Sequence, residues 1–274
     1  VRVKARSWYR VALATTAGAP QLVLASGEHV GQAVAEAVKE LSGSWAIAVD
    51  PATTEEIPLG ESVGKGHVVR LGEAPAGLDR FRFPPGVLPA VGGGITGMTE
   101  GWIERTDPKL FVIEAQADAE HIVDVYLGLI ERLPSADNLE VRLLDHFEAA
   151  ETTDVWLTSR VNARKIVRFL DDHDEELFGN GHIELGVYVR AHKATLRLTQ
   201  HKTVVWVGEE RALATELEQW LKELKLPRVA KLPSVDNGAH HHFRTAQGRD
   251  RKKLSDELYK QRLRKVDSLK RSGA

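Results

Sequence analysis

The sequence predicts a mixed α+β fold containing ferredoxin-like βαββαβ elements, with a helical extension at its C-terminal end. Three observations carry this. Short runs of alternating apolar residues keep giving way to runs with apolar residues three or four apart, the strand and helix periods. Between residues 110 and 191 these runs fall in the order strand, helix, strand, strand, helix, strand. A strand–strand–helix–strand unit is legible near both ends. An antiparallel sheet with helices on one face is the economical packing of such an order.

The first unit opens with a strand over Trp8–Thr15, a turn at Gly18-Ala19-Pro20 and a second strand at Leu22–Leu24. Val30, Val34, Val38 and Leu41 then lie on one helical face, closed by Ser42-Gly43, and a third strand covers Trp45–Val49. The far unit matches it. Ala194–Thr199 and Thr203–Val207 read as strands, Leu213, Leu217, Leu221 and Leu224 as a helix face, and Arg228–Leu232 as a closing strand. An internal duplication and two independent amphipathic helices of similar length both fit, so two related halves remain an open alternative. In the middle, Leu110–Ala115 is a strand and Asp118–Leu133 a helix. Leu139–Leu144 and Asp154–Thr158 are strands, Asn162–Leu177 a helix and His182–Ala191 a strand. Residues 50–108 are rich in Pro and Gly, with one strand candidate at His67–Leu71. The domain reading is a 1–107 N-terminal α/β region, a 108–232 α+β domain, and a linker with a basic amphipathic helix over 233–274. Ser255 is the expected N-cap of that helix, flanked by Leu254 and Tyr259, and the helix runs from Asp256 to about Lys270.

Composition narrows the function classes. The chain has 274 residues, 42% of them hydrophobic and 28% charged, as in ordinary globular proteins. There is no cysteine, which removes disulfides, thiolate metal sites and cysteine nucleophiles and fits a cytoplasmic protein. No apolar run reaches membrane-spanning length. Charge is unevenly spread. From Arg244 onward there are eleven Lys or Arg and four Asp or Glu, a net of +7, while the preceding 243 residues hold 26 and 35, a net of −9. A basic tail on an acidic body seeks an anionic partner.

No catalytic signature stands out. Gly92, Gly94 and Gly97 match a dinucleotide fingerprint, but no clear strand precedes them and no crossover helix has room to follow, so a flexible Gly-rich loop is the better reading. His240, His241 and His242 are adjacent, a poor arrangement for ligating one ion. The acidic run Asp171–Glu176 reads as a solvated helix face. No metal and no cofactor is expected. The leading function is therefore a non-enzymatic binding or assembly protein. Its tail, through Arg249, Arg251, Lys252, Lys253, Leu258, Tyr259, Arg262, Leu263, Arg264, Lys265 and Val266, engages an acidic protein surface. That surface is the body of its own or a neighbouring subunit, or a separate protein. A second candidate is an RNA-binding sheet face carrying Trp156, Tyr188, Arg190 and Arg197, helped by the basic tail. Third is an enzyme whose site residues meet only in the fold.

Overall fold

The computed structural model describes residues 6–57, 67–147, 150–209, 211 and 213–270. It is mixed α+β, and every pairing of neighbouring strands in its sheets is antiparallel. The chain forms two compact units. Unit 1 comprises Val1–Met98 with Pro233–Gly248, and unit 2 comprises Thr99–Leu232 with Arg249–Ala274. The boundary expected near residue 107 thus falls at 98/99, and residues 233–274 are divided between the units instead of standing apart.

In unit 1, β1 (Ser7–Ala14), β2 (Gln21–Gly27), β3 (Trp45–Pro51) and β4 (Val68–Glu73) form a sheet in the order β3-β1-β2-β4. Helix α1 (Val30–Glu40) buries Gly31, Ala33 and Ala37, and the two small alanines pack in one core with the strand residues. This is the strand–strand–helix–strand unit read from the sequence. β5 (Val87–Pro89) pairs with β13 (His240–His242) in a two-stranded ribbon. The histidine run is therefore a strand, with His241 Nε2 3.0 Å from Asp50 Oδ1. A Cβ on Gly31 would stand 1.9 Å from the Arg244 carbonyl oxygen, so residues after β13 cross α1 at contact distance. The Gly-rich loop has a structural explanation too. A Cβ on Gly93 would stand 2.5 Å from the Ala239 carbonyl oxygen, and Gly94 and Gly97 take φ of +70° and +73°.

Unit 2 is an eight-stranded sheet in the order β14-β9-β8-β10-β11-β12-β7-β6. Its strands are β6 (Gly101–Arg105), β7 (Phe111–Gln116), β8 (Asn138–Leu143), β9 (Thr152–Leu157), β10 (Ile183–Val189), β11 (Ala194–Leu198), β12 (Val204–Gly208) and β14 (Arg264–Lys270). One face supplies Ile113, Val141, Leu185, Leu196 and Trp206 to a core shared with α2 (Ile122–Arg132), α3 (Ala163–Asp171), α5 (Ala214–Glu223) and α6 (Arg251–Lys260). The other face carries the alternate residues.

The βαββαβ element order is present, but the strand order is not the ferredoxin-like one, in which β7 would lie between β9 and β10. β9 and β10 flank β8, a split βαβ joined through α3, whereas β7 and β8 have three strands between them. Two expected elements differ. The helix predicted over 162–177 breaks at His173 into α3 and α4 (Asp174–Leu177). His173 Nδ1 lies 2.9 Å from the Phe169 carbonyl oxygen, the acceptor a continuing helix would offer the His173 N–H, and that N–H turns to Leu170 instead. The strand predicted at 228–232 is a short parallel contact with β6. The Trp102 N–H donates to Pro227 O and the Val229 N–H to Trp102 O, both at 3.0 Å.

Candidate partner-binding edge

From Arg249 onward the basic tail is built into unit 2, and its local chemistry explains the path. Asp250 caps α6, accepting from the Lys253 N–H at 2.8 Å. The cap thus lies five residues before the predicted one at Ser255, which falls inside the helix. It ends in a Schellman turn. The Leu263 N–H donates to Leu258 O and the Arg262 N–H to Tyr259 O, with Arg262 in the left-handed region at φ 65°. The helix predicted to reach Lys270 therefore stops at Lys260. The cause is legible in hindsight. Leu258 and Leu263 are five apart, one too many for a helical stripe and the right spacing for the apolar contact of this turn.

Leu254, Leu258 and Leu263 are 1–2% exposed within the unit 2 core. They are not available to a separate groove, and among the tail's large apolar side chains that are described only Tyr259 and Val266, 74% and 53% exposed, face outward. The tail's cations divide likewise. Arg249 pairs with Glu176 at 3.4 Å. Arg251, 15% exposed, donates to the carbonyls of Leu144 and Thr152 and to Asp154 at 3.0 Å. Lys265 Nζ is 2.7 Å and Ser268 Oγ 2.9 Å from Asp154 Oδ1. Asp154 is thus a clasp, a nearly buried carboxylate on β9 that holds both α6 and β14. Burial raises its pKa, but the hydrogen bonds from Lys265, Ser268 and Arg251 outweigh burial and hold it below the ordinary value. Lys252, Lys253, Arg262 and Arg264 remain exposed. The acidic body that the tail's charge calls for is, for Arg249, Arg251 and Lys265, its own unit.

What remains open is an edge. β14 ends the sheet, and among the described residues no strand pairs with its outer side. Arg264, Lys265, Val266, Asp267 and Ser268 are all exposed. The opposite edge, β6, is met at Trp102 by Pro227–Val229. The β14 sequence RKVDSLK carries a net charge of +2.

Of the four residues predicted for a nucleic-acid face, Tyr188 and Arg197 do share the open face of the sheet, 39% exposed and, for the Arg197 side chain, 37%. Trp156 pairs in register with Val141 and points into the core at 6% exposure. Arg190 lies in the 3-10 turn after β10, its N–H held by Asp137 Oδ2 at 2.9 Å. The alternation in β10 was legible, whereas β9 offered no partner from which to choose its inner face. Sequence reasoning also missed Asp154, because one carboxylate in a short strand carries no signal until its three donors are placed. Among the described residues, no helix is long and apolar enough to cross a membrane. No family model, curated protein or solved structure matches the chain.

Proposed function

We propose that this chain is a non-enzymatic binding protein that takes up an acidic, extended segment of a partner as an additional strand beside β14. The observation that carries this reading is the uncovered, basic edge of β14, where among the described residues no strand pairs on the outer side. An unpaired edge offers a row of backbone donors and acceptors, which soluble proteins normally hide. Strand addition uses those groups for affinity and the alternating side chains for selection. Cations at Arg264 and the neighbouring exposed Arg262 favour carboxylates opposite them, and Val266 offers apolar contact at the centre. A second copy of the same strand is a poorer occupant, since it brings two strands of net charge +2 together.

The test is fluorescence anisotropy with a labelled (Glu-Val)4 peptide, its (Lys-Val)4 counterpart and a uridine oligomer. The acidic peptide is expected to bind, more weakly as salt rises because exposed charges are screened over about 10 Å at 0.1 M. Replacing Arg264 and Val266 together by Glu should weaken it by about tenfold or more. Equal binding of the acidic and basic peptides, or no change in the double variant, would sink the reading. Tighter binding of the uridine oligomer would favour a nucleic-acid binder instead.

A further inference from the structure

The open face of the unit 2 sheet has a hollow at its centre. Its floor is Gly186 on β10. In register, Gly186 lies between Glu140 on β8 and Arg197 on β11, and Tyr188 lies between Asn138 and Thr195. With Arg142 and Leu157 these residues line a cavity of about 350 Å³, near the small end of ligand sites. The glycine makes the hollow, and the backbone does not require it. Gly186 is absent from the positions with left-handed φ. A Cβ there would meet Glu140 Cβ at 3.6 Å and Thr195 Cγ2 at 3.7 Å, ordinary contacts. Glycine in a central strand costs stability, and a recognised reason for one is the close approach of a ligand.

The charges around the floor are unequally paired. Glu140 Oε1 is 2.5 Å from Arg142 Nε and 3.8 Å from Arg197 Nη2. Arg142 therefore holds the carboxylate, and Arg197 keeps its planar fork of donors, half-exposed at the rim. The hollow itself carries two guanidinium groups against one carboxylate, an excess of one positive charge. Tyr188 supplies an exposed aromatic ring two residues along β10, and Leu157 an apolar side chain beyond Glu140 on β9.

We propose that this hollow binds a small aromatic carboxylate, its ring over Gly186 beside Tyr188 and its carboxylate on the Arg197 fork. A guanidinium fork matches a carboxylate with two parallel hydrogen bonds. A ring over glycine meets a flat floor with no side chain to displace. The floor of this site lies on β10, three strands in from β14, although its wall residue Leu157 is the in-register neighbour of Arg264; the proposal stands whether or not that edge takes a partner.

Saturation-transfer NMR with benzoate and indole-3-carboxylate at millimolar concentration tests it, with benzamide as the neutral analogue. Transfer is expected to the carboxylates and much less to benzamide. Gly186→Ala should keep binding, Gly186→Leu should abolish it by filling the hollow, and Arg197→Gln should weaken it by about tenfold. Gly186→Ala should match or exceed the wild-type Tm, because it adds a Cβ at ordinary contact distance to a central strand. Absence of transfer to either carboxylate in the wild type overturns the proposal, as does equal transfer to benzamide or unchanged transfer in a folded Gly186→Leu protein. Should Gly186→Leu fail to fold, Arg197→Gln decides alone, and unchanged binding there also overturns it.

Discussion

Leu258→Ala should destabilise unit 2 by about 3 kcal/mol. Leu258 is 1% exposed. The substitution removes three buried carbons, each worth about 0.8 kcal/mol of transfer free energy, or roughly 2.4 kcal/mol. A residual cavity of about 30 Å³, at about 24 cal/mol per Å³, adds about 0.7 kcal/mol. For a unit of about 160 residues, that corresponds to a Tm lowered by roughly 6–12 °C. Hydrogen-exchange mass spectrometry in a urea series is the assay, because it follows peptides covering β9, α6 and β14 separately from unit 1. Tyr259→Ala, one residue away but 74% exposed, is the control and should change stability by no more than about 0.5 kcal/mol. An equal effect of the two substitutions would refute the account of α6 as part of the core. So would tail peptides that exchange as free chain in the wild type. The tail would then be the autonomous extension that its charge suggests.

Two further outcomes follow from the same segment. Arg262→Gly should stabilise the C-terminal segment by about 0.5–1 kcal/mol, since a side chain at φ 65° carries a steric cost that glycine lacks; a lower urea midpoint would speak against the Schellman turn. Asp154→Asn should cost about 2–3 kcal/mol near neutrality, because it strips the charge from a carboxylate held by two cations and a hydroxyl. The folded-state pKa of Asp154 lies below its ordinary 3.8, so the clasp contributes fully above about pH 5 and is lost as pH falls through the folded value. The difference in urea midpoint between wild type and Asp154→Asn should therefore shrink between pH 5 and pH 3, and a constant difference would mean that charge is not what holds the tail.

What the sequence revealed follows from the range of the forces involved. Periods of two and 3.6 are local, so β1, β2, α1, β8, β10 and β11 fall where alternation or helical spacing put them, and the inner face of β10 follows from Ile183, Leu185, Val187 and Val189. The end of α6 is also local, yet it was overlooked because Arg262 replaces the glycine that usually marks such a turn. β14 was read as helix because RKVDSLK has no clean alternation and its identity depends on β9, more than a hundred residues away. Strand order lies further still from local chemistry. Nothing in the run of elements says that the β11–β12 hairpin comes between β10 and β7. The basic edge was visible only as a net charge, and the Gly186 hollow not at all, since a missing side chain is informative only after its neighbours across the sheet are known.

The path of the chain between the two units sets an order on biosynthesis. β5 pairs with β13, and Asp50 meets His241 across 191 positions, so unit 1 cannot close until all of residues 99–232 have been made. At about 5–20 residues per second, β5 waits roughly 8–30 s on the ribosome for its strand partner. Unit 2 is held open in turn, because β9 keeps a bare edge until residues 264–270 emerge. Any chain released between residues 158 and 232 therefore exposes two unpaired strands at once, β5 in unit 1 and β9 in unit 2. Such a fragment is a substrate for chaperones and a seed for aggregation, so premature termination should yield insoluble product where a chain of independent, sequentially folding domains would leave a soluble first domain.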